Sequence, residues 1–133
     1  MNKKVLVVDD EAVVRMCLKT YLDGWGFEVK EAVDGQVALE QLGKEDFDLL
    51  ISDILMPKKD GWEVIKEIRS NPRMKNIPII VLTAKNEDAD MFKGYDLGAN
   101  YYITKPFSKA QLQYGIQLMF EGNSESLPVG RQE

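Results

Sequence analysis

The chain has 133 residues, 44% hydrophobic and 29% charged, which suits one globular domain able to bury about two-thirds of its unfolded surface without disulfide or metal staples. Its net charge of -5 and pI near 4.9 argue against a footprint for nucleic acid or anionic lipid. No apolar run nears the roughly 18 residues of a membrane span, and MNKKVLVVDDE turns acidic before a signal-peptide core could develop, so the expected location is cytoplasmic.

In chain order, VLVV from Val5 reads as a continuously apolar strand. Val14, Cys17, Leu18 and Leu22 then recur at helical spacing, a face on which the single cysteine, Cys17, is a packing residue. FEVKEA from Phe27 carries Glu28, Lys30 and Glu31, which suits an edge strand that must discourage foreign pairing. Ala38, Leu39 and Leu42 mark a second helix, DLLIS from Asp48 a third strand, and Trp62, Ile65 and Ile68 a third helix. IPIIVL from Ile77 is the fourth strand, with Pro78 near its start, where a missing N–H costs least.

A fourth helix is expected around Gly94. That glycine, at about 1 kcal/mol relative to alanine, and Glu87, Asp88 and Asp90 upstream make it marginally stable, as a switching element can be. NYYIT from Asn100 is the last strand. The last helix begins at Ser108, a plausible N-cap, and buries Leu112, Ile116 and Met119, leaving Tyr114 and Leu118 on the opposite side. GNSESLPVGRQE is small, polar and aperiodic, so the expected division is a domain over 1–121 and a flexible tail or linker start over 122–133. Strands apolar on both faces belong inside a parallel sheet covered by helices. About five strand-helix units give a doubly wound α/β fold with right-handed crossovers.

In such sheets ligands bind beyond the carboxyl ends of the strands. Asp9 and Asp10 follow the first strand, Asp53 the third, Thr83 the fourth and Lys105 with Pro106 the fifth, so the polar candidates gather at one end. Each has an ordinary alternative: Asp10 as a helix N-cap, Thr83 as a strand end, Lys105 as a solvated surface lysine. Together, three carboxylates repel one another and raise at least one pKa unless a cation sits among them. Mg²⁺ takes oxygen ligands, keeps several waters and is usually held by one or two carboxylates with a phosphate. The chain contains no histidine, which excludes histidine triads and histidine metal ligands. Phosphoryl transfer can run on carboxylate, metal, lysine and hydroxyl, with a carboxylate as nucleophile.

The motifs VLVVDDE, AVDGQVALEQL, LLISDILMPKKDGWEVIKEIR, IPIIVLTA and LGANYYITKPF together resemble the receiver domain of two-component response regulators, chemotaxis regulators among them, from about Lys3 to Phe120. The resemblance implies a (βα)₅ flavodoxin-like topology with strand order 2-1-3-4-5. It implies Asp53 as phosphoacceptor, with Asp10, Asp53 and the Leu55 carbonyl as direct Mg²⁺ ligands and Asp9 acting mainly through water. Lys105 would pair with phosphoryl oxygens, Pro106 would follow a cis bond, Thr83 would hydrogen-bond the phosphate and Tyr102 would swing with it. Pro57 and Gly61 would shape the loop after the acceptor.

The implied function is a signalling switch that catalyses only its own phosphorylation and dephosphorylation. Its donor would be a histidine kinase or phosphotransfer protein. Its target would be a protein engaged through the fourth helix, fifth strand and fifth helix, without direct contact to nucleic acid or membrane. Lys59 departs from the apolar residue often found at its position. Other functions fit less well. An aspartyl phosphatase typically needs a second acid where Leu55 stands. A flavin carrier needs a small, hydroxyl-rich phosphate loop in place of Asp9 and Asp10. A receiver-like binding module would not need the acceptor, metal acids, threonine and lysine together.

Overall fold

The computed structural model of the protein describes residues 2–56, 60–84 and 97–121. Expectations for Pro57, Lys59, the helix around Gly94 and the tail over 122–133 fall outside them. Five strands, β1 (Lys4–Val8), β2 (Glu28–Ala32), β3 (Leu49–Ser52), β4 (Ile79–Thr83) and β5 (Tyr101–Thr104), form one parallel sheet in the order β2-β1-β3-β4-β5. The described helices are α1 (Ala12–Gly24), α2 (Gly35–Lys44), α3 (Gly61–Ser70) and a last helix, Lys109–Phe120. This is the expected α/β fold and strand order.

Alternation along the strands builds two cores. Leu6 and Val8 of β1, Leu50 of β3 and Ile79 and Val81 of β4 face α2 and α3, meeting Ala38, Leu42, Ile65 and Ile68. Val5, Val7, Leu49, Ile51, Ile80 and Leu82 face the other way, onto Leu18 and Leu22 of α1 and Leu112 and Ile116 of the last helix. Central strands are therefore apolar on both faces: residues 5–8 of β1, 49–51 of β3 and 79–82 of β4 are all apolar and buried, and Ser52 and Thr83 come only at the carboxyl ends. By contrast β2, with Glu28, Lys30 and Glu31 exposed, lies at the sheet edge, as its charges predict.

Helix starts follow local chemistry. The Asp34 side chain accepts from the Val37 N–H at α2 and Asp60 from the Trp62 N–H at α3. Ser108 and Gln111 form a reciprocal capping box at the last helix. The suggested capping role of Asp10 is not realised. Glu11 is the N-cap of α1, but its side chain makes no capping bond, and it is Asp9 Oδ1 that accepts the Glu11 N–H, at 2.9 Å. On the last helix Met119 is only half-buried, while Tyr114 is exposed and Leu118 is half-buried. Among the described residues no helix is long and apolar enough to cross a membrane.

Candidate active site at the carboxyl end of the sheet

Because β1, β3 and β5 run parallel, their exits deliver Asp9, Asp53 and Lys105 to one place. Asp53 N–H donates to the Val8 carbonyl at 3.0 Å and Lys105 N–H to the Thr83 carbonyl at 2.8 Å, so both backbones are held as the chain leaves the sheet. One carboxylate oxygen from each of Asp9, Asp10 and Asp53 falls within 4.8 Å of the others. Asp9 and Asp53 are buried and Asp10 is exposed.

Lys105 supplies the counter-charge. Its Nζ lies 2.8 Å from Asp9 Oδ2, 2.9 Å from Asp53 Oδ2 and 3.0 Å from Glu11 Oε1. Hydrogen bonds run to Asp53 and Glu11, whereas the approach to Asp9 is an ion pair without hydrogen-bond direction, which leaves the buried Asp9 Oδ2 with no hydrogen bond among the described residues. Burial pushes the Asp9 carboxyl above its ordinary pKa, aided by the Asp53 charge and opposed by Lys105 and the Glu11 N–H. Burial alone would lower the Lys105 pKa, but its contacts with Asp9, Asp53 and Glu11 outweigh it and hold the ammonium above its ordinary value.

The remaining candidates frame this cluster. The Leu55 N–H donates to Asp53 Oδ1 at 3.0 Å, so each Asp53 carboxylate oxygen has a separate partner. Thr83 is fully buried at the carboxyl end of β4. The Lys105–Pro106 peptide bond is cis. Gly61 is required sterically: a Cβ there would lie 2.4 Å from Ile54 Cα and 2.7 Å from the Asp53 carbonyl oxygen, and its N–H donates to the Ile54 carbonyl. Tyr102 is buried in the core shared with α3, while Tyr101 packs on the opposite face near Tyr114.

Two participants escaped the sequence reading. Glu11 reaches Lys105 across 94 positions, and its adjacency to Asp9 and Asp10 was the available signal. Arg15 donates to the Asp9 carbonyl at 2.6 Å and bridges to Glu31, pinning the loop that carries the acids. A register of charges one helical turn into α1 gives no sequence hint of that contact.

An oxygen-only donor set containing a buried carboxylate oxygen without a hydrogen bond fits a hard divalent cation. Exposed apolar side chains follow the acids along the chain: Val13 at 76% exposure and Met16 at 65% on α1, and Leu55 at 51% two residues after Asp53. Val13, Val14 and Cys17 share a groove with Lys105, Pro106 and Phe107.

Residues 5–117 match the response regulator receiver domain family. The alkaline phosphatase synthesis transcriptional regulatory protein PhoP of Bacillus subtilis (strain 168) is 40% identical over 128 residues, covering 96% of this chain and 52% of that protein. The probable transcriptional regulator ycf27 of Cyanophora paradoxa is 44% identical over 140 residues, covering 97% and 57%. The chain thus spans about half the length of these curated relatives. The chemotaxis response regulator CheY4 of Vibrio cholerae superposes with a TM-score of 0.85 at 34% identity, over 90% of this chain and 99% of that one. The receiver domain of sensor histidine kinase PA1611 from Pseudomonas aeruginosa PAO1, with a magnesium ion in its active-site cleft, gives 0.82 at 29% identity, over 90% and 98%. A match running from the first strand into the last helix, on this strand order and with acids and lysine converging at the sheet's carboxyl end, means that the chain belongs to the receiver-domain family of two-component response regulators.

Proposed function

We propose that Asp53 is the phosphoacceptor of this receiver domain and that phosphorylation there switches the binding of a protein partner. The observation that carries the reading is the junction of Asp9, Asp10, Asp53 and Lys105, drawn from three strand exits into one pocket. An Asp53 oxygen attacks phosphorus as the P–N bond of a phosphohistidine on the donor breaks, the electron pair leaving with the imidazole. Asp10, Asp53 and the Leu55 carbonyl would hold Mg²⁺, with Asp9 acting through water. Bound there, the ion neutralises charge on the transferred oxygens.

Lys105 and the Thr83 hydroxyl meet phosphoryl oxygens, and Tyr102 follows Thr83. One charge-assisted hydrogen bond contributes about 1.5–3 kcal/mol, and inverting a 1:99 population takes about 5.5 kcal/mol. Two such contacts only just suffice, so the inactive state is favoured by a small margin and some partner binding precedes phosphorylation. The exposed apolar side chains of Val13, Met16 and Leu55 suit a protein donor, since a charged small molecule would gain little from them. A histidine kinase or phosphotransfer protein meets that description. The output face is assigned to β5, the last helix and the segment before them, where Tyr101, Tyr102 and Tyr114 line a groove. The segment 122–133, polar and proline-bearing, suits a linker, and the site serves self-phosphorylation and dephosphorylation in the cytoplasm.

The test is intact mass after incubation with acetyl phosphate and Mg²⁺. One added phosphoryl group on the native chain and none on Asp53→Asn are expected; addition to both would move the acceptor elsewhere.

A further inference from the structure

The exposed carboxylate of Glu11 reaches Lys105 from the start of α1. An ammonium has three protons to donate, and around Lys105 stand three carboxylates of this chain, at 2.8, 2.9 and 3.0 Å. Two of them, Asp53 and Glu11, accept its protons, and a phosphoryl oxygen on Asp53 competes with these carboxylates for the ammonium. The three are unequal. Asp9 and Asp53 are buried, at 1% and 6% side-chain exposure, whereas Glu11 is 61% exposed. Separating an ammonium from a buried carboxylate leaves an uncompensated charge in low dielectric; at Glu11 water takes its place at little cost.

The backbone of Glu11 cannot follow its side chain away, because its N–H is fixed by Asp9 Oδ1 at 2.9 Å. Departure is therefore a rotation of the exposed side chain with the cluster left intact. From this asymmetry we infer that Glu11 is a positioning residue for phosphoryl transfer, an internal competitor that parks Lys105 against the acidic cluster until phosphoryl oxygens displace it. The inference rests on the reading of Asp53 as acceptor.

Two variants separate the contact from the charge. Glu11→Gln removes the charge. Glu11→Asp keeps it but withdraws the carboxylate by one methylene, about 1.5 Å, out of ion-pair reach of Lys105. With the full chain and Mg²⁺, the readouts are affinity for beryllium trifluoride, followed by tryptophan fluorescence, and the rate of phosphorylation by acetyl phosphate, followed by intact mass. Both variants are expected to bind the phosphoryl mimic about two- to fivefold more tightly than the native chain, the fold-change that corresponds to one exposed ion pair. If Glu11→Asp matches the native chain while Glu11→Gln gains, plain charge repulsion acts and the inference is overturned; no change in either variant overturns it equally. If the native chain takes up no phosphoryl group, or Asp53→Asn still does, the underlying reading fails first and is recognised as such.

Discussion

Asp9 pays an electrostatic penalty in the folded chain that it escapes on unfolding. Its carboxyl is 1% exposed, and burial raises its pKa above the unfolded value near 3.8. A raised native pKa means that the folded state holds the proton more tightly. The stability this contributes is complete below pH 3.8 and is lost as pH rises through the native value, so at neutral pH the ionised Asp9 weakens the metal-free fold. Asp9→Asn is therefore expected to stabilise the protein in EDTA at pH 7 by about 0.5–2 kcal/mol, within the usual range of stabilising substitutions. The advantage should shrink as the pH is lowered toward 3, and thermal melts across that range would show it; a constant or growing advantage would contradict the assignment. Lys105 contributes no such dependence in this window, because its partners hold it protonated. At this scale the acids and lysine were legible in the sequence because the exits of parallel strands are fixed by topology. The division of labour among them was not. Which carboxylate receives the Glu11 N–H, and that Glu11 turns toward Lys105, depend on side-chain directions that spacing does not encode.

Elements were legible where periodicity is unambiguous. Val5 to Val8, Leu49 to Ile51 and Ile79 to Leu82 are unbroken apolar runs, and the structure explains why: each contributes to both cores. The edge position of β2 followed from its charges. Met119 is only half-buried because the buried stripe of the last helix runs in steps of four, Leu112, Ile116 and Phe120, and Met119 stands beside it. Junctions between elements carry sharper tests. The capping box at Ser108 satisfies two backbone donors, so Ser108→Ala should cost about 1 kcal/mol with the acceptor chemistry unchanged, as chemical denaturation and intact mass would report together. Gly61 is different, because a Cβ there would run into Ile54 and the Asp53 carbonyl. Gly61→Ala must displace the backbone at Asp53 and Ile54, and overpacking of this kind costs about 1–3 kcal/mol. Loss of stability and slower phosphorylation are expected together; a variant with native stability and rate would show that the loop yields freely.

Over the whole molecule, two apolar cores hold a sheet whose carboxyl end gathers Asp9, Asp10, Glu11 and Asp53 around one lysine. The fold thus supports an arrangement that its own charges oppose, and a cation binding there must return stability to the entire domain. A ligand that binds only the native state stabilises by RT ln(1 + [L]/Kd), about 2.7 kcal/mol at one hundred times Kd. For a domain of this size that corresponds to a rise of roughly 10 °C in Tm. The melting temperature is therefore expected to climb with log Mg²⁺ concentration once the concentration exceeds Kd, and EDTA should return it to the metal-free value. Asp10→Ala removes an exposed carboxylate that supports neither core, so its metal-free stability should stay within about 0.5 kcal/mol of native, while the Mg²⁺ response shifts to higher concentration. Such a shift, with the baseline unmoved, separates a metal ligand from a structural residue. An identical Mg²⁺ response in native and Asp10→Ala chains would remove Asp10 from the ligand set and leave Asp9 and Asp53 to account for the cation.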